Sequence, residues 1–312
     1  MKSLKILAVI FVVAVLAVVA AEKPVEVGKV DWNRDFDAAL AASAESSKPV
    51  FALFQEVPGC AGCQKFGREV LSHPLIVEAI ESEFESTVIY NNQSGRDQEL
   101  LQKFKEPAWN YQVVRFFDSK AKDVIPRQDR VWTIAPLATR MVAALEAHGR
   151  TAPRYLRSLA WEQDPAKIET AAFAMFCFWT GEMKLGQIDG VLTTEAGWLD
   201  GREVTLVRYR ADQISFAKLV SEAAKVKCAD KVYAKTDQQL KGLGETRLST
   251  GKLDGYEKAK DSDQRKQIEG SAWSKIRMTG TQATKVNAWA RTDSAKALEW
   301  LSPRQRQQLL GK

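Results

Sequence analysis

A Cys-x-x-Cys pair near the start of the chain has the spacing for reversible thiol–disulfide chemistry. Cys60 and Cys63 follow the apolar run 50–54 and open a helical pattern that ends near Val70. The free N–H groups and partial positive charge of a helix N-terminus favour thiolate over thiol at the first cysteine. The sequence therefore predicts Cys60 as the attacking sulfur and Cys63, one turn on, as the sulfur that resolves the mixed disulfide. A structural disulfide and half of a metal site are the alternatives.

A lone cysteine, Cys177, ends an apolar run in the second half of the chain. Phe178 and Trp179 follow it directly, and Glu182 lies five residues on. Aromatic rings pack a methyl group next to sulfur, and a carboxyl group in an apolar pocket has a raised pKa and donates a proton to a sulfoxide oxygen. The attacking thiolate is left as a sulfenic acid. The alternative is a cysteine buried in an aromatic core beside a surface glutamate.

Composition narrows the classes of function that need to be considered. The chain has 312 residues, a net charge of +6, four cysteines and only two histidines, His73 and His148. Two histidines exclude a His-rich zinc site and disfavour a Ser-His-Asp triad, and four cysteines are too few for a disulfide framework. Because the charge is mild and alternates in sign, no nucleic-acid partner is implied. Neither a metal nor a cofactor is expected.

The amino terminus has the pattern of a targeting segment. Lys2 and Lys5 precede an uncharged run over 6–21 that ends in small residues. This run is short for a membrane-spanning helix, so residues 1–21 are interpreted as a cleaved signal peptide, with an uncleaved anchor as the alternative. We expect a secreted or periplasmic protein with no membrane contact apart from this segment.

The first cysteine pair lies within an alternating order of helices and strands, which is typical of an α/β sandwich. Helices are predicted over 30–48, 60–70, 74–83, 135–147 and 153–161, and strands over 50–54, 87–90 and 113–117. The residues Lys48–Phe54, Cys60–Cys63 and Val113–Phe117 resemble the thioredoxin-like superfamily. This resemblance implies a thioredoxin-like sandwich, which we assign to residues 28–150.

The second half carries a different set of elements. Strands are predicted near 168–176, 190–194, 203–209 and 231–233, and helices over 180–188 and 214–224. The stretch Cys177–Glu182 resembles the Gly-Cys-Phe-Trp-Gly-x-Glu signature of A-type peptide methionine sulfoxide reductases, and similarity continues through Gly190–Thr194, Gly197–Gly201 and Glu203. This resemblance implies a ferredoxin-type α/β domain over 164–270, followed by a helical tail over 271–312.

The same resemblance implies roles for individual residues. Cys177 would be the nucleophile and Glu182 the proton donor, with Glu203 assisting. The substrate-binding residues would be Phe178, Trp179 and Trp198. Cys228 is either a resolving cysteine that closes a disulfide with Cys177 or a buried thiol with no role.

Together the two motifs predict a self-contained repair enzyme. Cys177 would reduce methionine-S-sulfoxide in oxidised proteins or peptides, and Cys60 and Cys63 would deliver electrons at high effective concentration. An external thiol reductant would complete the cycle. Two alternatives stay open: a thioredoxin-type oxidoreductase whose second domain has lost its activity, and a non-enzymatic binding protein that keeps both folds.

Overall fold

The computed structural model describes residues 23–109, 111–244 and 247–311, and two sheets organise them. The first half contains, in chain order, α1 (Phe36–Ser46), β1 (Val50–Gln55), α2 (Ala61–Glu69), α3 (Pro74–Glu83), β2 (Glu85–Tyr90), α4 (Arg96–Phe104), β3 (Gln112–Phe117), α5 (Ile134–Ala147) and α6 (Arg154–Glu162). The second half contains β4 (Ile168–Ala174), α7 (Phe178–Gly186), β5 (Val191–Leu199), β6 (Arg202–Arg210), α8 (Phe216–Lys225), β7 (Lys231–Ala234), α9 (Asp237–Gly242), β8 (Ser249–Lys252), β9 (Glu257–Lys258), α10 (Gly280–Trp289), α11 (Ser294–Leu298) and α12 (Pro303–Leu309). This confirms the predicted mixed α/β class.

The first sheet has the order β2-β1-β3, with β1 parallel to β2 and antiparallel to β3. Every residue of β1 is buried. Because side chains alternate across a strand, Phe51 and Leu53 enter one apolar core while Ala52 and Phe54 enter another on the opposite face. The sheet is therefore covered on both sides, as the continuous apolar run predicts.

Two helices of the first half differ from the sequence prediction. The helix predicted over 30–48 begins only at Phe36, because the Asp35 side chain accepts a hydrogen bond from the Ala38 N–H and caps it. Asn33 instead forms an isolated bridge to Thr87 of β2. The sequence analysis also did not anticipate α4, a mostly polar helix that buries only a narrow stripe around Leu100.

The second sheet has the order β8-β7-β4-β6-β5-β9. Its four central strands and two helices follow one another as β4-α7-β5-β6-α8-β7, and neighbouring strands among these four are antiparallel. This is the ferredoxin-type arrangement that the resemblance implies. The polar, glycine-broken stretch 235–268 adds β8 and β9 at the two edges.

The predicted domain ends need correction where the two halves meet. The first domain was expected to end at 150, but Tyr155, Leu156 and Leu159 of α6 belong to its apolar core. Within the predicted tail 271–312, α10 packs against α7 and β5 of the second domain and also against α6. A hydrogen bond of 3.0 Å from the Gly280 N–H to the Glu162 carboxylate joins α10 to the end of α6.

Within the described residues, none of the helices combines the length and the apolar character needed to cross a bilayer. The predicted signal segment, residues 1–21, lies outside the described part of the chain.

Candidate functional site

The first cysteine pair lies where β1 gives way to α2. Cys60 is the N-cap of α2, and its sulfur accepts a hydrogen bond from the Cys63 N–H at 3.5 Å. The two Sγ atoms are 3.2 Å apart, and both thiols are free. Cys60 is partly exposed, whereas Cys63 is fully buried. The pair is therefore placed to interconvert between dithiol and disulfide, with Cys60 as the accessible sulfur.

The surroundings separate the pKa values of the two thiols. At Cys60, burial raises the pKa, but hydrogen bonds from the Cys63 N–H, the Cys63 thiol and the Gly62 N–H outweigh it, so the pKa is lowered. At Cys63, burial, the hydrogen bond with Cys60 and the charge of Cys60 raise the pKa to about 12. These opposite shifts favour the thiolate at Cys60 and the proton at Cys63, which is the order that the helix-start argument predicts.

Polar groups from other elements complete the first centre. The Cys63 thiol donates to Oε1 of Gln112, at the start of β3, over 3.5 Å. Buried Glu26 accepts a hydrogen bond of 2.9 Å from the Gly59 N–H, which orients the loop before Cys60. Glu56, Cys60 and Cys63 offer ligand atoms within 4.8 Å of one another, so these three are the residues of this centre able to hold a metal ion.

The second cysteine lies at the corresponding position of the other domain, just after β4. Cys177 is the N-cap of α7 and is partly exposed. The Glu203 carboxylate accepts a hydrogen bond of 2.8 Å from the Phe178 N–H, in the residue that follows the thiol. The Glu203 carbonyl accepts another from the Met175 N–H at 3.3 Å. Pairing of β6 with β4 therefore brings Glu203 to the loop that carries Cys177.

Aromatic side chains surround this loop. Trp198 is the cross-strand partner of Glu203 in the β5–β6 ladder, so the two side chains share one face of the sheet. The ring of Phe178 lies 5.5 Å from that of Trp198 and 6.0 Å from that of Trp179, measured between centroids. Phe178 is almost fully buried, whereas Trp198 is 43% exposed. The arrangement offers an apolar surface for a methyl group beside the thiol.

Phe176 was not predicted as a site residue. It is 96% exposed and immediately precedes Cys177. An apolar side chain this exposed beside a partly exposed cysteine is available to contact another molecule. The sequence signal was its position directly before Cys177.

Glu182 has the buried environment that the sequence predicts for a proton donor, but its carboxylate contacts a different part of the chain from the Cys177 loop. It is fully buried, and one carboxylate oxygen accepts a hydrogen bond of 2.8 Å from the Arg265 N–H. Its other oxygen, Oε1, has no hydrogen-bond partner among the described residues. Burial raises the pKa of Glu182 to about 8, against the opposing effect of Arg265. Its pKa is raised as expected of an acid in an apolar pocket, but Glu203 is the acid that contacts the residue next to the thiol.

The raised pKa of Glu182 predicts a specific dependence of stability on pH. A carboxyl group that holds its proton in the folded protein stabilises it at low pH, and this contribution is lost as the pH rises from about 4.5 towards 8. Between pH 5 and 7 the free energy of unfolding should fall by roughly 2.5 kcal/mol more in the wild type than in Glu182→Gln. Urea unfolding at pH 5, 6 and 7 measures this difference. The exposed Glu257→Gln serves as control and should keep the wild-type slope; an equal slope in Glu182→Gln would contradict the prediction.

Cys228 is fully buried in the apolar core of the second domain. Its thiol donates to the Val226 carbonyl over 3.6 Å. Burial raises the pKa of Cys228, and the charges of Asp230 and Cys177 act in the same direction against Lys184. Both alternatives for Cys228 therefore stay open, since its thiol is free but shielded from solvent.

Tyr256 joins this region from the polar stretch that sequence reasoning left without a role. Its hydroxyl donates to a carboxylate oxygen of Glu195 at 3.0 Å. Burial raises the pKa of the Tyr256 phenol, and the charges of Glu195 and Glu182 act in the same direction. A Cβ at Gly197 would come within 2.3 Å of the Tyr256 ring, so only glycine admits this ring against β5. No local pattern in 235–268 indicated this contact.

Comparison with known proteins supports the redox character of both halves. The thioredoxin-like family matches residues 31–119. The peptide methionine sulfoxide reductase MsrA of Rhodospirillum centenum is 37% identical over an alignment of 73 residues, and the match covers 18% of this chain and 33% of the relative. The chain thus spans about a third of the length of that curated relative.

Three solved structures are similar in parts. Mxr1 from Saccharomyces cerevisiae in an unusual oxidized form is 18% identical, with a TM-score of 0.28 over 32% of this chain and 82% of that one. An oxidoreductase named DsbH is 17% identical, with a TM-score of 0.32 over 41% and 92%. Methionine sulfoxide reductase A of Corynebacterium diphtheriae is 16% identical, with a TM-score of 0.28 over 41% and 85%. At these scores the structural likenesses carry no argument about function. The family match and the curated relative show that the chain joins a thioredoxin-like domain to a second domain that resembles A-type peptide methionine sulfoxide reductases.

Proposed function

We propose that the chain reduces methionine-S-sulfoxide in oxidised proteins or peptides. The observation that carries this proposal is the assembly around Cys177: a partly exposed thiol, an acid on the adjoining backbone and an aromatic surface. The thiolate attacks the sulfoxide sulfur, and a proton goes to the sulfoxide oxygen. The oxygen leaves the substrate and ends on Cys177, so the products are a thioether and a sulfenic acid.

In this proposal Glu203 takes the role of proton donor that the sequence assigned to Glu182. The Glu203 carboxyl group accepts a hydrogen bond of 2.8 Å from the N–H of Phe178, the residue that follows Cys177. Glu182 has no exposed surface, and its carboxylate is held by the Arg265 N–H. Because a general acid must reach the atom that it protonates, position favours Glu203.

Regeneration needs two thiols for each sulfoxide reduced. The Cys228 thiol displaces the sulfenic hydroxyl of Cys177 as water and forms a Cys177–Cys228 disulfide. Cys60 then attacks this disulfide and Cys63 resolves the mixed disulfide, so that the first pair is oxidised and the second is reduced. An external dithiol reduces the Cys60–Cys63 disulfide. If residues 1–21 act as the predicted signal peptide, we propose that this cycle runs outside the cytoplasm.

A count of product without added reductant tests the whole scheme. Fully reduced wild-type protein mixed with excess methionine sulfoxide peptide should yield about two thioethers per chain, because each sulfoxide consumes one dithiol. Cys60→Ser should yield about one, and Cys177→Ser none. Quantitative mass spectrometry of the peptide gives these numbers. Two products from Cys60→Ser would refute the relay, and none from the wild type would refute sulfoxide reduction.

Mixing variants shows whether the relay operates within one chain. Cys177→Ser keeps its Cys60–Cys63 dithiol but cannot attack the sulfoxide. If electrons pass between chains, adding this variant to Cys60→Ser should restore the second product. If they pass only within a chain, the yield should remain at one.

One observation favours a second candidate function. The first centre has everything that thiol–disulfide exchange requires: an accessible sulfur with a lowered pKa next to a buried partner. A thioredoxin-type oxidoreductase whose second domain no longer reduces sulfoxides would reduce insulin disulfides. It would yield no thioether in the product count.

A further inference from the structure

A cavity of about 310 Å³ lies between the two halves of the chain, apart from both cysteine centres. α6, which packs in the first core, lines it with Arg154, Arg157 and Trp161. α10 of the tail lines it with Thr281 and Lys285. Its volume is in the range of sites for small organic ligands. The cavity is therefore large enough for a ligand that would contact both halves at once.

Ion pairs with neighbouring glutamates hold the two arginine side chains of this cavity in place. Arg154 is paired with Glu299 at 2.8 Å, and Arg157 with Glu146 at 2.5 Å. A guanidinium group has five N–H donors, so each pair leaves donors for a ligand. Among the residues that line the cavity, three side chains are cationic and one, Asp189, is a carboxylate. Because Glu299 and Glu146 neutralise the two arginines from outside the lining, the cavity favours an anion through the unused N–H donors and not through its net charge.

Lys285 is a buried cation with spare hydrogen-bonding capacity. Its ammonium group donates to the carbonyls of Gly186 and Ile188, each at 2.8 Å. Because an ammonium has three donors, two bonds leave one for another acceptor. Burial lowers the pKa of Lys285 to about 7, with Asp189 opposing and Arg154 adding to the shift. A bound anion would compensate the cost of burying the charged form.

Thr281 is a further polar residue of the cavity wall. The residue is 1% exposed, and its hydroxyl oxygen has no hydrogen-bond partner among the described residues. Buried polar atoms are nearly always paired, so a small shift of this side chain towards a ligand would let the hydroxyl form the hydrogen bond that it lacks.

The remaining walls are aromatic. The indoles of Trp161 and Trp300 line the cavity. The Arg154 guanidinium lies 5.1 Å from the centroid of the Trp300 ring. We propose that this cavity binds a small carboxylate with an aromatic body, its charge held by Lys285 and the arginines and its ring packed between the indoles. Neither cysteine centre takes part, so this inference does not depend on the proposed reaction.

Benzoate is a suitable probe, and benzamide is its neutral isostere. Isothermal titration of the full chain should give saturable binding of benzoate and at least about tenfold weaker binding of benzamide, because the amide carries no charge for the three cations. Acetate should also bind weakly, since it cannot fill the space between the indoles. Cys177→Ser should bind benzoate as the wild type does.

Three variants locate the site. Arg157→Gln should weaken benzoate binding by about tenfold or more, as expected when a charged hydrogen bond is lost. Thr281→Val has nearly the same volume and removes a hydroxyl that makes no bond in the free protein. It should weaken binding about threefold or more while leaving the melting temperature of the free protein unchanged. Arg208 is an exposed cation elsewhere in the second domain, so Arg208→Gln should change neither the affinity for benzoate nor the melting temperature.

The binding experiments have one set of results that supports the site and another that rules it out. Saturable binding that prefers benzoate and is weakened by both Arg157→Gln and Thr281→Val supports the site. Equal affinity for benzoate and benzamide would overturn the proposal, and so would a wild-type affinity for benzoate in either Arg157→Gln or Thr281→Val. Binding that does not saturate by about 20 mM benzoate would also overturn it, because that affinity is weaker than is usual for small ligands.

Discussion

Cys177→Ser is expected to lower the rate of methionine sulfoxide reduction by about 1000-fold or more, equivalent to about 4 kcal/mol of transition-state stabilisation. A serine hydroxyl is a far weaker nucleophile than a thiolate at neutral pH, and it cannot accept the oxygen as a sulfenic acid. The measurement is steady-state turnover of a methionine-S-sulfoxide peptide with dithiothreitol as reductant, which bypasses the first domain.

Two cysteine variants serve as controls for this experiment. Cys60→Ser should keep the dithiothreitol-driven rate, since dithiothreitol reduces the second domain directly. Cys228→Ser should also keep the first turnover, because resolution follows oxygen transfer. If Cys177→Ser retains the wild-type rate, the sulfoxide chemistry lies elsewhere or is absent. A loss shared equally by all three variants would indicate damage to the fold instead.

Glu203→Gln is expected to lower the same rate by about 10² to 10⁴-fold, the usual contribution of a positioned general acid. Glutamine keeps an oxygen that can accept the Phe178 N–H, so the start of α7 stays in place while the transferable proton is lost. KM should change less than kcat, because the proton moves only in the transition state.

The matched control is Glu182→Gln. Both glutamates belong to the second domain, but only Glu203 contacts the backbone beside Cys177. Glu182→Gln should therefore keep most of the activity while it alters the dependence of stability on pH. If Glu182→Gln instead loses the larger share of the rate, the sequence assignment of the donor is right and our structural assignment is wrong.

Local pattern was sufficient for most elements of the first domain. The apolar run at 50–54 is a buried central strand because nothing in it interrupts strand pairing, and Cys60 caps α2 because its sulfur accepts the N–H three residues on. The first helix and α4 were misjudged for a local reason as well. Asp35 caps α1 at a later position than the apolar periodicity suggests. α4 buries so few apolar side chains that its sequence pattern cannot be distinguished from that of a loop.

The second centre could be predicted only in part. The order Cys177-Phe178-Trp179 is visible in the sequence, and the structure places all three at the start of α7. Glu203 and Trp198 meet there because β5 and β6 pair in one particular register, and Tyr256 enters because Gly197 leaves room for its ring. Register and close packing depend on residues far apart in the chain, so no local window contains them.

The sequence by itself determined the candidate reactive atoms and their immediate neighbours: two thiols one helical turn apart, and a third thiol followed by two aromatic residues. Those features are local, because helix starts and short spacings are set by adjacent residues. Only the tertiary structure decided which glutamate lies next to the Cys177 loop, how deeply Cys228 is buried, and that Lys285 and Thr281 line a cavity between the halves. Burial and long-range pairing decide these properties, since each depends on surfaces contributed by distant parts of the chain.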